Sequence, residues 1–174
     1  MIGTGWPERD PEPAGLAPNG LPYESVWDFP RPPRIATETR PVRIELGGEL
    51  VAESDRALRV LETAGGPTIY VPQAEVADGV LTPTEATTVC EFKGVASYLD
   101  VHGAGRRARR AAWTYPRPAH GYEALTDYVS FYPARVECRL GNERVESQPG
   151  GFYGGWVTAE LLGPIKGGPG SEAW

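Results

Sequence analysis

Between its glycines and prolines this chain carries apolar residues at a period of two, and nowhere does it sustain the 3.6-residue stripe of an amphipathic helix. Val42, Ile44 and Leu46 alternate with Arg43 and Glu45, the pattern of a half-buried strand. Gly47-Gly48 then offers a two-residue turn that tolerates positive φ, and 49–53 returns as the partner. The same reasoning predicts strands at 57–62, 68–71, 86–92, 95–101, 110–115, 127–132, 135–140 and 143–147, with Gly141-Asn142 turning the last pair. Only 72–78, opened by Pro72, and 119–126 read as short helices. Short strands separated by Gly/Pro-rich turns predict an all-β domain over 40–147.

The flanks differ from this domain. Eight of the 18 prolines fall within residues 1–40, so 1–39 is expected to be an extended arm, not a helix or central strand. Its rings Tyr23, Trp27 and Phe29 predict an arm anchored across the domain surface, with the first 20 residues disordered. The tail 148–174 holds eight of the 22 glycines, yet Phe152, Tyr153, Trp156, Leu161 and Leu162 are costly to leave in water. Much of it is therefore expected to pack on the domain or on a neighbouring copy.

Charge and residue counts narrow the function classes. With 17 basic against 23 acidic residues the chain is net acidic, which argues against nucleic acid as a partner. The one basic run, RRARR at 106–110, follows Gly-Ala-Gly and reads as a solvated hairpin tip. No apolar run is long enough for a membrane helix, and the N-terminal residues lack the apolar core of a secretory signal, so a cytoplasmic protein is expected. Two cysteines, Cys90 and Cys138, and two histidines, neither cysteine in a Cys-x-x-Cys pair, give no metal site, and no cofactor motif is found. Both thiols are expected to remain reduced.

The densest chemistry lies in CEFKGVASY at 90–98. On an extended strand Cys90 and Phe92 share one side, Glu91 and Lys93 the other, and after Gly94 the residues Ala96 and Tyr98 share a face. Pattern alone makes Lys93 a solvated hairpin charge and Cys90 a small core residue. A second cluster, AAWTYPRP at 111–118, places Trp113 and Tyr115 on one face, and YVSFYP at 128–133 adds further rings. Aromatic residues at strand spacing usually form core, although an aromatic pocket with one lysine suits a planar or anionic ligand.

Together RALRVLET (56–63), PTIYVP (67–72), CEFKGVASY, AAWTYPRP and YVSFYP closely resemble a bacterial and fungal family known as domain of unknown function 427. The resemblance spans 40–147, and the Cys-x-x-Lys-Gly-x-Ala-x-Tyr and Trp-x-Tyr-Pro motifs carry it. The arm and the GGFYGGWV tail look like the actinobacterial branch. Glu91 and Phe92 replace the commoner Pro-Tyr between Cys and Lys. The resemblance implies a β-tent-like fold, two antiparallel sheets meeting at an angle. Relatives in that fold often hold zinc on two Cys-x-x-Cys pairs, which this chain lacks. Some family labels mention nucleotidyltransferase activity, but the carboxylate pair and glycine-serine phosphate motif it needs are not found.

The resemblance also raises the weight of Cys90, Lys93, Tyr98, Trp113 and Tyr115 as ligand-binding residues, with Glu62 and Tyr70 as further lining. Lys93 becomes the anchor for an anion, or, if buried, a nucleophile or base. Three functions compete: a small-molecule binding domain around Lys93, with catalysis left open; an assembly module or homodimer built by the arm and tail; and a thiol redox protein using Cys90.

Overall fold

The computed structural model describes residues 5–174, so the opening residues of the arm, part of the stretch expected to be disordered, lie outside the described residues. The arm contributes β1 (Glu24–Ser25) and β2 (Arg34–Thr37). The domain follows with β3 (Val42–Leu46), β4 (Glu49–Ser54), β5 (Leu58–Leu61), β6 (Thr68–Pro72), β7 (Leu81–Cys90), β8 (Gly94–Gly103), β9 (Arg106–Thr114), β10 (Tyr128–Phe131) and β11 (Glu137–Leu140). Short strands β12 (Glu143–Arg144), β13 (Glu146–Ser147), β14 (Trp156–Val157) and β15 (Leu161–Leu162) complete the chain. The fold is all-β. The two helical stretches shrink to single 3-10 turns, Gln73–Glu75 and Glu123–Leu125. No helix among the described residues is long and apolar enough to cross a membrane.

Two antiparallel sheets carry the domain. One has seven strands in the order β2-β5-β6-β10-β9-β8-β7, the other four in the order β12-β11-β3-β4, and neither closes into a barrel. The expected alternation in β3 holds: Val42, Ile44 and Leu46 are buried while Arg43 and Glu45 are half-buried. These side chains meet Ile69, Val71, Val101, Val129 and Phe131 of the larger sheet in one aliphatic core. Each such burial is worth about 1.5–3 kcal/mol. The turn at Gly47-Gly48 has φ of +61° and +84°, the conformation that a two-residue hairpin requires and that glycine adopts freely.

Several boundaries differ from the sequence expectation, each for a local reason. Strand β7 begins at Leu81, five residues early, because it is the sheet's edge; its polar residues, with Pro83 beside a register shift, carry no alternation to detect. It ends at Cys90, so 91–93 form a turn instead of extending the strand. The hairpin tip is Ala104-Gly105, and the arginine run belongs to β9. Strand 143–147 is broken at Val145, whose side chain is buried in the core.

The arm and tail are bound to each other. Strand β1 pairs with β15 in parallel, and β13 with β14 antiparallel. The backbone N–H of Asp10 donates to the Gly163 carbonyl, and its carboxylate accepts from the Gly163 N–H, both at 2.9 Å. Asn19 Nδ2 likewise donates to Glu160 at 2.8 Å, so the arm meets the tail at Asp10 and again at Asn19. Trp27 donates its indole N–H to the Pro164 carbonyl and packs edge-on against Trp174. The Arg40 guanidinium bridges the buried carboxylates of Glu38 and Glu160, each at 2.9 Å. Trp156 is only 1% exposed, lies in the aliphatic core and donates to the Phe131 carbonyl.

Asp100 of β8 organises the long hairpin. Opposite it β9 bulges, Arg110 taking φ +48°, and the carboxylate accepts the Arg110 N–H and the Arg107 Nε–H, both at 2.8 Å. The backbone N–H of Arg110, then Arg107, hold the Asp100 carboxyl below its usual value against the opposing effect of burial. A depressed carboxyl pKa contributes stability above the unfolded-state value of about 3.9, and that contribution is lost as pH falls through the folded value. Asp100→Asn is therefore expected to cost about 1–2 kcal/mol at pH 7 by urea unfolding, the gap between variant and parent narrowing below pH 4. Trp156→Ala is expected to cost about 3–5 kcal/mol in the same assay, since it removes a core ring although it lies in the tail.

Candidate functional site

The period of two gives the seven-stranded sheet two unlike faces. In β6, Ile69 and Val71 enter the aliphatic core while Tyr70 points to the other side; in β9, Ala112 enters the core while Trp113 points away. That second face is aromatic, with Tyr70, Trp113, Tyr115 and Tyr132 buried on it and Tyr98, Cys90 and Phe92 packed around them. A cavity of about 320 Å³ opens on this face. All seven sequence-predicted residues line it: Cys90, Lys93, Tyr98, Trp113 and Tyr115 from the motifs, with Glu62 and Tyr70.

The rings hold one another in place. Trp113 Nε1–H donates to the Tyr70 hydroxyl at 3.1 Å, and the two rings meet edge-on at 6.0 Å. Trp113 packs on Tyr132 at 4.6 Å, Tyr132 stacks on Tyr98 at 6.5 Å, and the Tyr98 hydroxyl shares a hydrogen bond with Thr88. Burial drives the phenol pKa values of Tyr70, Tyr115 and Tyr132 far above the usual tyrosine value. These walls therefore stay neutral near pH 7, and the field in the cavity belongs to the few groups that carry charge.

Lys93 departs from the solvated place that strand spacing alone gives it. Across the turn at 91–93, which Gly94 leaves with a φ of +108°, Glu91 is exposed and Lys93 buried, and the Lys93 carbonyl accepts the Ala119 N–H at 2.9 Å. Its side chain is 9% exposed, with Nζ 5.9 Å from the centre of the Tyr115 ring. Among the described residues it makes neither an ion pair nor a hydrogen bond through Nζ. Glu62, by contrast, faces Arg31 at 3.8 Å. Cys90 is a free thiol wedged among the rings, and Cys138 is free in the aliphatic core on the opposite side of the sheet. Cys90 thus has no second thiol beside it.

The tail completes the cavity, which the sequence did not predict. Tyr153, Gly154, Gln148 and Lys166 line it, and Phe152 stands at its edge, 73% exposed. Gln148 is a buried brace: its Oε1 accepts the Gly66 N–H at 3.1 Å, and its Nε2 donates to the Lys166 carbonyl at 3.0 Å. Lys166 Nζ lies 4.8 Å from the centre of the Tyr153 ring. Burial lowers the Lys166 pKa below the usual lysine value; Glu62 opposes this, while Arg31 and Lys93 add to it. The only signal for these residues was the mixture of rings and glycines in the tail.

Gly154 explains that mixture. A Cβ there would overlap the outer carbons of the Trp113 ring, so only glycine lets the tail lie flat on the indole. Gly154→Ala is expected to cost about 1–3 kcal/mol in thermal unfolding. Trp113→Phe removes the obstructing ring, so Gly154→Ala made in that background is expected to cost less than half as much. Additive losses in the double-mutant cycle would show that the two residues do not touch.

A search among curated proteins finds no match to the chain. A family model does match, over residues 34–141, from β2 through the end of β11. That span holds all seven sequence-predicted lining residues and leaves out the tail that covers them. The match takes in more than half of the chain, and the chain belongs to the family described as domain of unknown function (DUF427).

Proposed function

We propose that the domain binds a small anionic molecule with a flat, unsaturated body, held in the aromatic cavity with its charge on Lys93. The supporting observation is Lys93 itself, nine-tenths buried with no counter-charge within ion-pair distance among the described residues. Its ammonium lines the cavity, where an anionic ligand can pair with it without displacing a protein carboxylate. The edge-on and stacked rings suit a planar body by dispersion and ring geometry. Glu62 is drawn toward Arg31 and Glu91 is exposed, while Lys93 and Lys166 line the cavity without an ion pair among the described residues.

The assembly role rested on the apolar side chains of arm and tail. Trp27, Phe29 and Trp156 are covered within the chain, which leaves the cavity as the preferred reading. The Cys90 redox reading has an unpaired thiol and no resolving partner nearby.

The test is Lys93→Met, which keeps the apolar stem and removes the charge. Thermal unfolding of the parent is measured against benzoates and phenyl phosphate, where a ligand at 100 times its Kd stabilises by about 2.7 kcal/mol. The variant is expected to keep its ligand-free melting temperature within a few degrees and to lose the ligand-induced shift. A variant that still responds like the parent rules out Lys93 as the anchor. A variant that unfolds without ligand makes Lys93 a structural partner instead.

A further inference from the structure

The chain carries 15 arginines and only two lysines, Lys93 and Lys166, and both lysines line the aromatic cavity. Elsewhere its cationic work falls to arginine: the clasp at Arg40, the pairs at Arg43, Arg56 and Arg59, and the bulge at Arg107. Arginine holds a fixed charge and does not give up its proton, whereas lysine can become a neutral amine. A site that needed charge alone had the residue used everywhere else in the molecule.

Lys166 is built for more than charge. Its backbone is held on both sides, the N–H by the Ala64 carbonyl at 2.9 Å and the carbonyl by Gln148 Nε2 at 3.0 Å. Its Nζ has no ion pair among the described residues and lies against the Tyr153 ring at the cavity rim. The other charged groups lining the space are Lys93, Glu62, which faces Arg31, and the exposed Glu91. Lysines desolvated by apolar walls, or set beside a second cation, are the ones that act as nucleophiles.

We propose that Lys166 captures a carbonyl: a ligand bearing an aldehyde or ketone on the same flat body as its anionic group condenses with Lys166 Nζ while Lys93 holds the anion. This rests on the anion-binding reading above and adds the class of ligand. The neutral amine adds its lone pair to the carbonyl carbon, and the C–O π pair moves onto oxygen. The carbinolamine then loses that oxygen as water, taking both amine hydrogens, as the nitrogen lone pair forms the C=N bond. Amine plus carbonyl gives imine plus water, so neither oxidant nor reductant is required. Burial, with Arg31 and Lys93 adding to it against Glu62, lowers the Lys166 pKa and so raises the share of neutral amine available to attack.

The full chain is incubated with 4-carboxybenzaldehyde, or with pyridoxal 5′-phosphate to place a phosphate where the carboxylate was, under sodium cyanoborohydride. Peptide mass mapping is expected to find the reduced adduct on Lys166, formed at least tenfold faster than on free Nα-acetyl-lysine. Lys166→Arg is expected to abolish it and Lys93→Met to slow it several-fold. In parallel, 4-methylbenzoate, which has the anion but no carbonyl, is tested by thermal shift. If 4-methylbenzoate binds through Lys93 but Lys166 labels no faster than Nα-acetyl-lysine, or Lys93 labels instead, carbonyl capture by Lys166 is overturned while the anion site stands. If 4-methylbenzoate also fails to bind, both are overturned. The parent's rate against the free amine decides the matter even if a variant does not fold.

Discussion

Successive side chains of a strand point to opposite faces, and the larger sheet uses that constraint to separate two chemistries. Ile69 and Val71 face the four-stranded sheet with Val129 and Phe131, and this aliphatic layer supplies the bulk of the burial. Tyr70, between them in sequence, faces the other way and joins Trp113, Tyr115 and Tyr132. One sheet thus serves as the wall of a core and as the floor of a cavity. The rings are free to be specialised because they are not asked to close the core.

An aromatic floor left uncovered would be an adhesive patch. The tail covers it by unusual means. Trp156 enters the core on the far side of the sheet and fixes the tail there, Gln148 ties the loop at Gly66 to the backbone at Lys166, and Gly154 lies on Trp113. The roof is therefore anchored through the aliphatic core, and it brings its own cation. Opposed to this rigid bracing is Phe152, which stays in water at the edge.

Legibility in the sequence followed the physics that each element obeys. Strand β3, with one face buried, announces itself by alternation, and the glycine pair after it by turn chemistry, which implies β4 as the returning strand. Strand β7, exposed as an edge, gives no such signal and was placed five residues short. The seven lining residues came from motif resemblance; periodicity alone put Lys93 in solvent, because a three-residue turn and one positive φ suffice to redirect a side chain. Gln148 and Lys166 were out of reach. Their positions depend on hydrogen bonds to Gly66 and Ala64, far upstream in the chain, and no local pattern encodes such a closure.

The parallel pairing of β1 with β15 sets an order on how the molecule is made. Residues 24–25 hydrogen-bond with 161–162, the arm's Arg40 waits for Glu160, and the core waits for Trp156. A nascent chain leaving the ribosome has its aliphatic sheet faces and its row of tyrosines exposed until those last partners emerge. Vectorial synthesis can thus assemble hairpins early, but the interior is not sealed before Trp156 and residues 161–162 are free.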